Sequence, residues 1–269
     1  MTDAVIIVLR EVLEAMLLIC MLMASSTAMG QRFRWMLVAL LLGVGGATLY
    51  ALRLEQISMS FDGFGQEIVN SSLLIGIALV LTAHNFLAVF QLRNLSTPLH
   101  YLPLALLSIA AVGMAITREG AEIYLYVYSY GVLAGNITPV FSGGAIGLGI
   151  GLSVGTFFYY GLKSLPRQQR LLSCVFIALV LAAGMMGESA TYLAQADIIP
   201  AQEALWDSSG LLAENSLFGE LLHAAIGYEA RPTAAQLVLY LSALLLSLVA
   251  MLAAWRLRAS PAAMKRERQ

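Results

Sequence analysis

Two short charged motifs stand inside apolar stretches and share the spacing Arg-Glu-x-x-Glu. Their members are Arg10, Glu11 and Glu14 in the first motif, and Arg118, Glu119 and Glu122 in the second. Residues three apart on a helix project to the same side, so each motif predicts two carboxylates on one helix face. Carboxylate oxygens without His or Cys beside them are typical ligands of hard metal ions. The four glutamates therefore predict a hard-cation site, in which the two arginines moderate how tightly the ion is held.

Counting residues inward predicts that both motifs lie at the same depth in a membrane. At about 1.5 Å per residue, Glu11 and Glu14 fall roughly 10 and 15 Å below the outer surface. On a helix that runs the other way, Glu122 and Glu119 fall roughly 12 and 17 Å below it. The four carboxylates can then converge in one cage between the two helices.

Two further acids, Glu67 and Glu188, also fall within apolar stretches. A charged residue near the centre of a membrane helix costs about 2.5–3.5 kcal/mol, so these interior charges indicate a function. We expect each of the two to be a second ion station or a proton acceptor, with hydrogen bonding to nearby Ser and Thr as the structural alternative. For the motifs, the structural alternative is that each arginine neutralises the glutamate four residues after it.

The histidines carry a weaker signal. We expect His84 and Asn85 to form a hydrogen-bonded polar pair rather than an ion site. We expect His100 and His223 to be ordinary loop residues.

Membrane-spanning helices are the elements that must position these side chains. The chain has 269 residues, of which 59% are apolar and 12% charged, whereas about 25% are charged in soluble domains. Seven apolar stretches are long enough to cross a hydrocarbon core of about 30 Å as helices. They cover residues 4–29, 35–54, 66–92, 101–131, 139–162, 170–196 and 234–257. We therefore expect an all-α membrane protein that forms a single transmembrane domain over residues 1–269.

The distribution of basic residues predicts the orientation of the chain. Eleven of the fifteen Lys and Arg residues fall in loops or ends on one side of the predicted spans, and only Arg53 and Arg231 fall on the other. Basic residues near span ends stay on the cytoplasmic side. The N-terminus is therefore expected outside and the C-terminus inside. The loops also contain no basic patch that would suit a nucleic acid.

Two features of the layout go beyond a simple series of spans. The external segment 197–233 is long, and within it NSLFGELLHAAIGY predicts a short surface helix with Asn215 or Ser216 as its cap. The charged motif recurs after 108 residues, and each unit holds three spans. An odd number of spans inverts the second unit relative to the first, so we expect an inverted repeat followed by one extra helix.

The doubled motif on seven spans resembles the oxidase-dependent high-affinity iron permeases of fungi and bacteria. Glu67 at the head of the third span and the outer segment WDSSGLLAENSLFGELLHAAIGYEARPT, residues 206–233, are similar to that family as well. Two departures are the Val in REV, where Arg-Glu-Gly is commoner, and His84-Asn85, where many relatives have bulky aromatic residues.

The resemblance implies import of ferric iron through the cytoplasmic (inner) membrane by a multi-pass permease rather than an enzyme. It implies Glu11, Glu14, Glu119 and Glu122 as ligands, with Arg10 and Arg118 as supporting charges. Iron is then the transported substrate, with no cofactor. The implied partner is an extracytoplasmic oxidase or a cupredoxin-like or peroxidase-like protein that delivers iron.

Three alternatives remain open on the sequence. Carboxylates alone do not select the charge state of the ion, so a carrier of ferrous, manganous or lead ions is possible. A membrane di-metal enzyme is a second alternative, although helical di-iron sites normally include Glu-x-x-His pairs, which are absent here. A structural subunit or sensor is the third.

Overall fold

The computed structural model describes residues 1–93, 101–214 and 216–257. Its α-helices are α1 (Thr2–Ala28), α2 (Arg34–Leu52), α3 (Leu54–Ser58), α4 (Gly65–Arg93), α5 (Tyr101–Tyr126), α6 (Ile137–Ser164), α7 (Arg167–Gln195), α8 (Leu217–Ile226) and α9 (Ala234–Arg256). A π-helical segment, Val127–Leu133, continues α5, and Phe61–Gly63 forms a 3₁₀ turn. Within the described residues there is no β-strand, so the all-α prediction is confirmed for this part of the chain.

Six of these helices are long and apolar enough to cross a membrane. They are α2, α4, α5 with its π-helical extension, α6, α7 and α9. The predicted spans agree with them to within three residues at each end. α1 is 27 residues long but is not among the six. A seventh crossing and the orientation of the termini therefore stay predictions.

Four helices form a ring at the centre of the molecule, in the order α1, α5, α4, α7. Each packs against its two neighbours in this order, so α1 lies diagonally opposite α4, and α5 opposite α7. Buried residues recur along the full length of all four. Side chains that reach from one helix to the diagonal one must therefore pass through the centre of the bundle.

The other three long helices lie outside this ring. α6 packs against α1, α2 packs against α5, and α9 packs against α4 and α7. Their outer faces expose large apolar side chains such as Leu41, Phe157 and Leu245. Extended apolar faces of this kind suit contact with lipid tails.

A stripe of glycines holds α6 close to α1. Gly143, Gly147, Gly151 and Gly155 recur every four residues on one face of α6, and each would bring an added Cβ within 2.7 Å of α1. Small residues at this spacing let two helix backbones approach closely in a membrane. Because α1 carries Glu11, the stripe helps to set where the first charged motif lies.

The segment 197–233 contains the short helix that its sequence predicts. Ser216 caps α8 by accepting a hydrogen bond from the Gly219 N–H at 3.1 Å, whereas the alternative cap, Asn215, lies outside the described residues. α8 is followed by Gly227, whose φ of 67° is left-handed. A Cβ at Gly184 of α7 would lie 3.0 Å from the Gly227 Cα. The end of α8 thus rests directly on α7, one turn from Glu188.

Replacing Gly147 with alanine is expected to destabilise the protein. The added methyl group would meet the Val5 carbonyl oxygen at 2.6 Å, and such overpacking typically lowers the free energy of unfolding by about 1–3 kcal/mol. Gly149→Ala is the matched control on the same helix, because a Cβ there meets nothing within 4 Å. Thermal unfolding in detergent measures both. Equal midpoints for the two variants would contradict the close packing of α1 on α6.

Candidate metal-binding site

Three of the predicted carboxylates meet where α1 and α5 pack together. Glu11, Glu14 and Glu119 each contribute one oxygen to a group whose atoms lie within 4.8 Å of one another. Their exposed fractions are 4%, 6% and 3%, respectively. One oxygen of Glu11 and one of Glu119 are buried without a hydrogen-bond partner in the described part of the chain. These atoms are therefore available to a ligand.

Arg118 holds this group together from the centre of the ring. Its guanidinium is completely buried and donates from one nitrogen to Glu14 at 3.2 Å and to Glu119 at 2.6 Å. Its other terminal nitrogen donates to Glu188 of α7, the helix diagonally opposite. One cation thus binds carboxylates from three helices, and in a dry interior such a cation needs every one of these partners.

Arg10 is the more exposed of the two arginines. Its Nε donates to Glu14 at 3.3 Å and lies 3.9 Å from Glu11. Its side chain is 38% exposed, whereas that of Arg118 is 0% exposed. The two motifs are therefore unequal: the guanidinium of the first faces the outside, and that of the second fills the interior.

Glu122 does not join the three-carboxylate group. It lies 3.5 Å from the Arg118 Nε and accepts a hydrogen bond from the Tyr192 hydroxyl at 3.1 Å. The expected pairing of each arginine with the glutamate four residues later is therefore present in both motifs. It is not exclusive, however, because Arg118 also contacts Glu14, Glu119 and Glu188.

The two additional acids have different surroundings. Glu188 belongs to the cluster through Arg118. Glu67 lies in the first turn of α4, and no hydrogen bond or ion pair joins it to the cluster among the described residues. One Glu67 oxygen is buried without a hydrogen-bond partner there.

The charge of the cluster favours a cation. Five carboxylates (Glu11, Glu14, Glu119, Glu122 and Glu188) and two guanidinium groups give a formal charge of −3 when all are ionised. In a medium of low dielectric constant this excess strongly favours a positive ion. The donor atoms are all oxygens, which suit hard cations such as ferric iron and many divalent ions.

A cavity lined mainly by segment 197–233, which we call the outer cavity, leads towards this cluster. It has a volume of about 300 Å³ and is lined by Arg10, Glu214, Glu220, His223 and Glu229. A smaller recess below it is lined by Glu14, Glu188 and His223, among other residues. Burial and a hydrogen bond to Glu214 raise the pKa of Glu229 to about 7. His223 lies at the junction between the cavity and the carboxylate cluster.

The prediction that His223 is an ordinary loop residue is wrong. It lies in α8, and its Nδ1 is 3.0 Å from the Tyr228 carbonyl oxygen. A carbonyl can only accept, so Nδ1 is the donor in this contact. Spacing along the chain could not predict this position. It depends on the contact between Gly227 and Gly184, which packs α8 against α7 near the ring.

Tyr192 is a second residue of the site that was not predicted from the sequence. It lies one helical turn after Glu188 on α7, and this spacing places the two side chains on the same helix face. This spacing is the feature of the sequence from which a place for Tyr192 beside Glu188 could have been predicted. His100, the remaining histidine, lies outside the described residues.

Comparison with known proteins agrees with these features. Residues 5–260 match the iron permease FTR1 family. The chain is 25% identical over 259 residues to the ferrous iron permease EfeU of Escherichia coli O6:H1 (strain CFT073), which covers 91% of this chain and 93% of that protein. It matches the ferrous iron permease EfeU of Shigella sonnei (strain Ss046) to the same extent. No solved structure matches the chain.

The family match extends over nearly the whole chain and includes both Arg-Glu-x-x-Glu motifs and the outer segment. Six apolar helices fit a multi-pass membrane protein that transports iron as its substrate. This chain belongs to the iron permease FTR1 family.

Proposed function

We propose that this protein imports ferric iron across the cytoplasmic membrane through a site formed by Glu11, Glu14 and Glu119. The observation that carries the proposal is the convergence of these three buried carboxylates, from two helices, in a member of an iron permease family. A trivalent ion would neutralise the formal charge of −3 that the cluster has when all seven groups are ionised. Structural ion pairing alone would not require this excess of acids.

We also propose that α1 is a seventh crossing and that the N-terminus is outside. At about 1.5 Å per residue, 27 residues reach about 40 Å, which exceeds the thickness of the hydrocarbon core. The packing also supports an inverted repeat in which α1, α2 and α4 correspond to α5, α6 and α7. In such a repeat, the packing of α1 against α6 in one arrangement is equivalent to the packing of α5 against α2 in the other. Both pairs of helices are in contact. The whole chain then acts as one permease domain with α9 added.

The outer cavity is the proposed route of access. Its acids, Glu214, Glu220 and Glu229, would concentrate cations. The ion would then pass His223 and reach Glu14 and Glu188 through the smaller recess. Glu11 and Glu119 complete the coordination because each has a buried oxygen that is not hydrogen-bonded.

Arg118 has two roles in this mechanism. Without the ion, it compensates carboxylates that would otherwise repel one another in the bilayer interior. With the ion bound, its positive charge weakens the hold of the site, which is necessary because a permeant ion must leave. Glu188 stays hydrogen-bonded to the guanidinium and Glu122 stays 3.5 Å from its Nε, so both remain partners of Arg118 when Glu14 and Glu119 turn towards the ion.

An extracytoplasmic oxidase or a cupredoxin-like or peroxidase-like protein is the proposed source of ferric iron. Hydrolysis and precipitation limit free ferric ions in water, so direct transfer into the outer cavity would keep the ion in solution. The segment 197–233, which lines that cavity, is the proposed docking face.

Glu119→Gln is expected to lower the initial rate of iron uptake by at least about tenfold, since it removes one of the three charged ligands while keeping the side-chain shape. Glu55→Gln is the matched control, because Glu55 is an exposed acid on α3 outside the cluster. Uptake of ⁵⁵Fe into proteoliposomes measures both variants. Uptake by Glu119→Gln at the rate of Glu55→Gln, with equal protein in the membrane, would refute the site assignment.

Ferrous iron is the second candidate substrate, because the EfeU relatives are named ferrous iron permeases. The two substrates are separated by measuring uptake from ferric citrate and, under anaerobic reducing conditions, from a ferrous salt. We expect faster uptake at equal total iron concentration from the ferric source, since a trivalent ion gains more from an acidic cluster than a divalent ion does. Uptake that occurs only from the ferrous salt would replace ferric by ferrous iron in this proposal.

A further inference from the structure

A second group of polar side chains lies in the ring, further along the helices from the carboxylate cluster. The Nε2 atom of His84 on α4 is 3.4 Å from the Ser25 hydroxyl on α1. α1 and α4 are diagonally opposite in the ring, so this hydrogen bond crosses its centre. The imidazole therefore lies on the axis of the bundle, as the Arg118 guanidinium does at the other level.

His84 and Asn85 do not form the polar pair that their sequence suggested. Each is hydrogen-bonded to a different helix, and the Asn85 amide donates to the Val175 carbonyl on α7 at 3.2 Å. Both residues are at least 99% buried. Two adjacent residues of α4 thus direct polar groups to α1 and α7 within the dry interior.

Several polar atoms at this level are buried without a hydrogen-bond partner among the described residues. They are the Nδ1 of His84, the Oδ1 of Asn85, and the hydroxyl oxygens of Ser26 and Ser108. All four side chains are completely or almost completely buried. An orphaned buried polar group is unfavourable, and native folds keep few of them without a water, an ion or a functional reason.

The register of α1 against α5 places Ser108 at the same level. Arg118 contacts Glu14 and Glu119 with one nitrogen, so these two residues face each other on antiparallel helices. Eleven residues further along α1 is Ser25, and eleven residues back along α5 is Ser108. At about 1.5 Å per residue, both lie about 16 Å beyond the carboxylate cluster. Three helices of the ring therefore contribute polar groups to one level.

We propose that His84, Asn85, Ser25, Ser26 and Ser108 form a second station for the transported cation, between the carboxylate cluster and the cytoplasm. This inference rests on the proposed iron import. When His84 Nε2–H donates to Ser25, Nδ1 keeps a lone pair that can bind a metal ion. The remaining donors are neutral oxygens, which hold a cation more weakly than carboxylates do. The gradient from charged to neutral ligands favours release on the inner side.

A purely structural cross-link between α1 and α4 is the competing explanation. Such a link needs only the hydrogen bond between His84 and Ser25. It does not explain why four polar atoms at the same level have no partner: the Nδ1 of His84, the Oδ1 of Asn85 and the hydroxyl oxygens of Ser26 and Ser108. A cation at this level would give such orphaned lone pairs a partner.

His84→Leu tests the station. In proteoliposomes it is expected to lower the initial rate of ⁵⁵Fe uptake by at least about tenfold. In detergent, equilibrium binding of ⁵⁵Fe should fall from two ions per chain to one, while the affinity of the remaining site stays within about twofold of the unmodified protein. His84→Gln keeps a neutral hydrogen-bonding group and should transport at an intermediate rate.

Thr82→Val is the matched control. Thr82 is a buried residue of the same helix, and its hydroxyl is hydrogen-bonded at 2.7 Å to Ser247 of α9, outside the ring. Its loss removes a comparable buried hydrogen bond without touching the axis, so uptake should stay at the unmodified rate.

The possible outcomes are distinguishable from a failure of the iron import proposal itself. Normal uptake and two bound ions in His84→Leu, or in His84→Gln should the leucine variant not fold, would overturn the inner station. An equal fall in His84→Leu and Thr82→Val would assign the loss to packing and would also overturn it. Absence of iron uptake by the unmodified protein would instead refute the proposed function, whatever the histidine variants bind.

Discussion

The rest of the structure depends on one buried cation, the guanidinium of Arg118. It is completely enclosed, and it contacts Glu14, Glu119, Glu122 and Glu188. Removing one partner of a buried ion pair is strongly destabilising, by about 3–5 kcal/mol, because the other charge is left uncompensated. The three helices that supply these groups are therefore held together by electrostatics as well as by packing. One oxygen of Glu11 and one of Glu119 nevertheless have no hydrogen-bond partner among the described residues.

Close helix packing makes this arrangement possible. The glycines of α6 bring its backbone against α1, and Gly43, Gly46 and Gly120 do the same between α2 and α5. The two motif-bearing helices are thus each held by an outer helix, which leaves their opposite faces to meet in the ring. Polar groups that cross the diagonals of the ring then lie on its axis, at one level through Arg118 and Glu188 and at another through His84 and Ser25.

Much of the fold could be predicted from the sequence, because its signals are local. Apolar stretches longer than the membrane is thick predict helices, and Ser216 before an amphipathic run predicts the start of α8. The spacing of three residues placed Glu11 beside Glu14, and the matching depths brought Glu119 to the same level. Their action as metal ligands stays a prediction.

The remaining features depend on contacts between residues far apart in the chain. The spacing of three residues predicted that Glu119 and Glu122 share a helix face. It could not show that Glu122 contacts Arg118 and Tyr192 instead of joining the three-carboxylate group. It also could not show that Arg118 reaches across the ring to Glu188, or that the glycine contact between α7 and α8 brings His223 to the cluster. Each depends on which helices are neighbours, and a periodicity along one helix does not contain that information.

Anomalous scattering at the iron absorption edge, from crystals grown with the ion, tests the central claim most directly. We expect a peak within coordination distance of one oxygen each from Glu11, Glu14 and Glu119, with the Arg118 guanidinium still beside Glu188. Iron bound elsewhere in the protein, with no peak between these three carboxylates and with Glu14 and Glu119 still paired with Arg118, would contradict it.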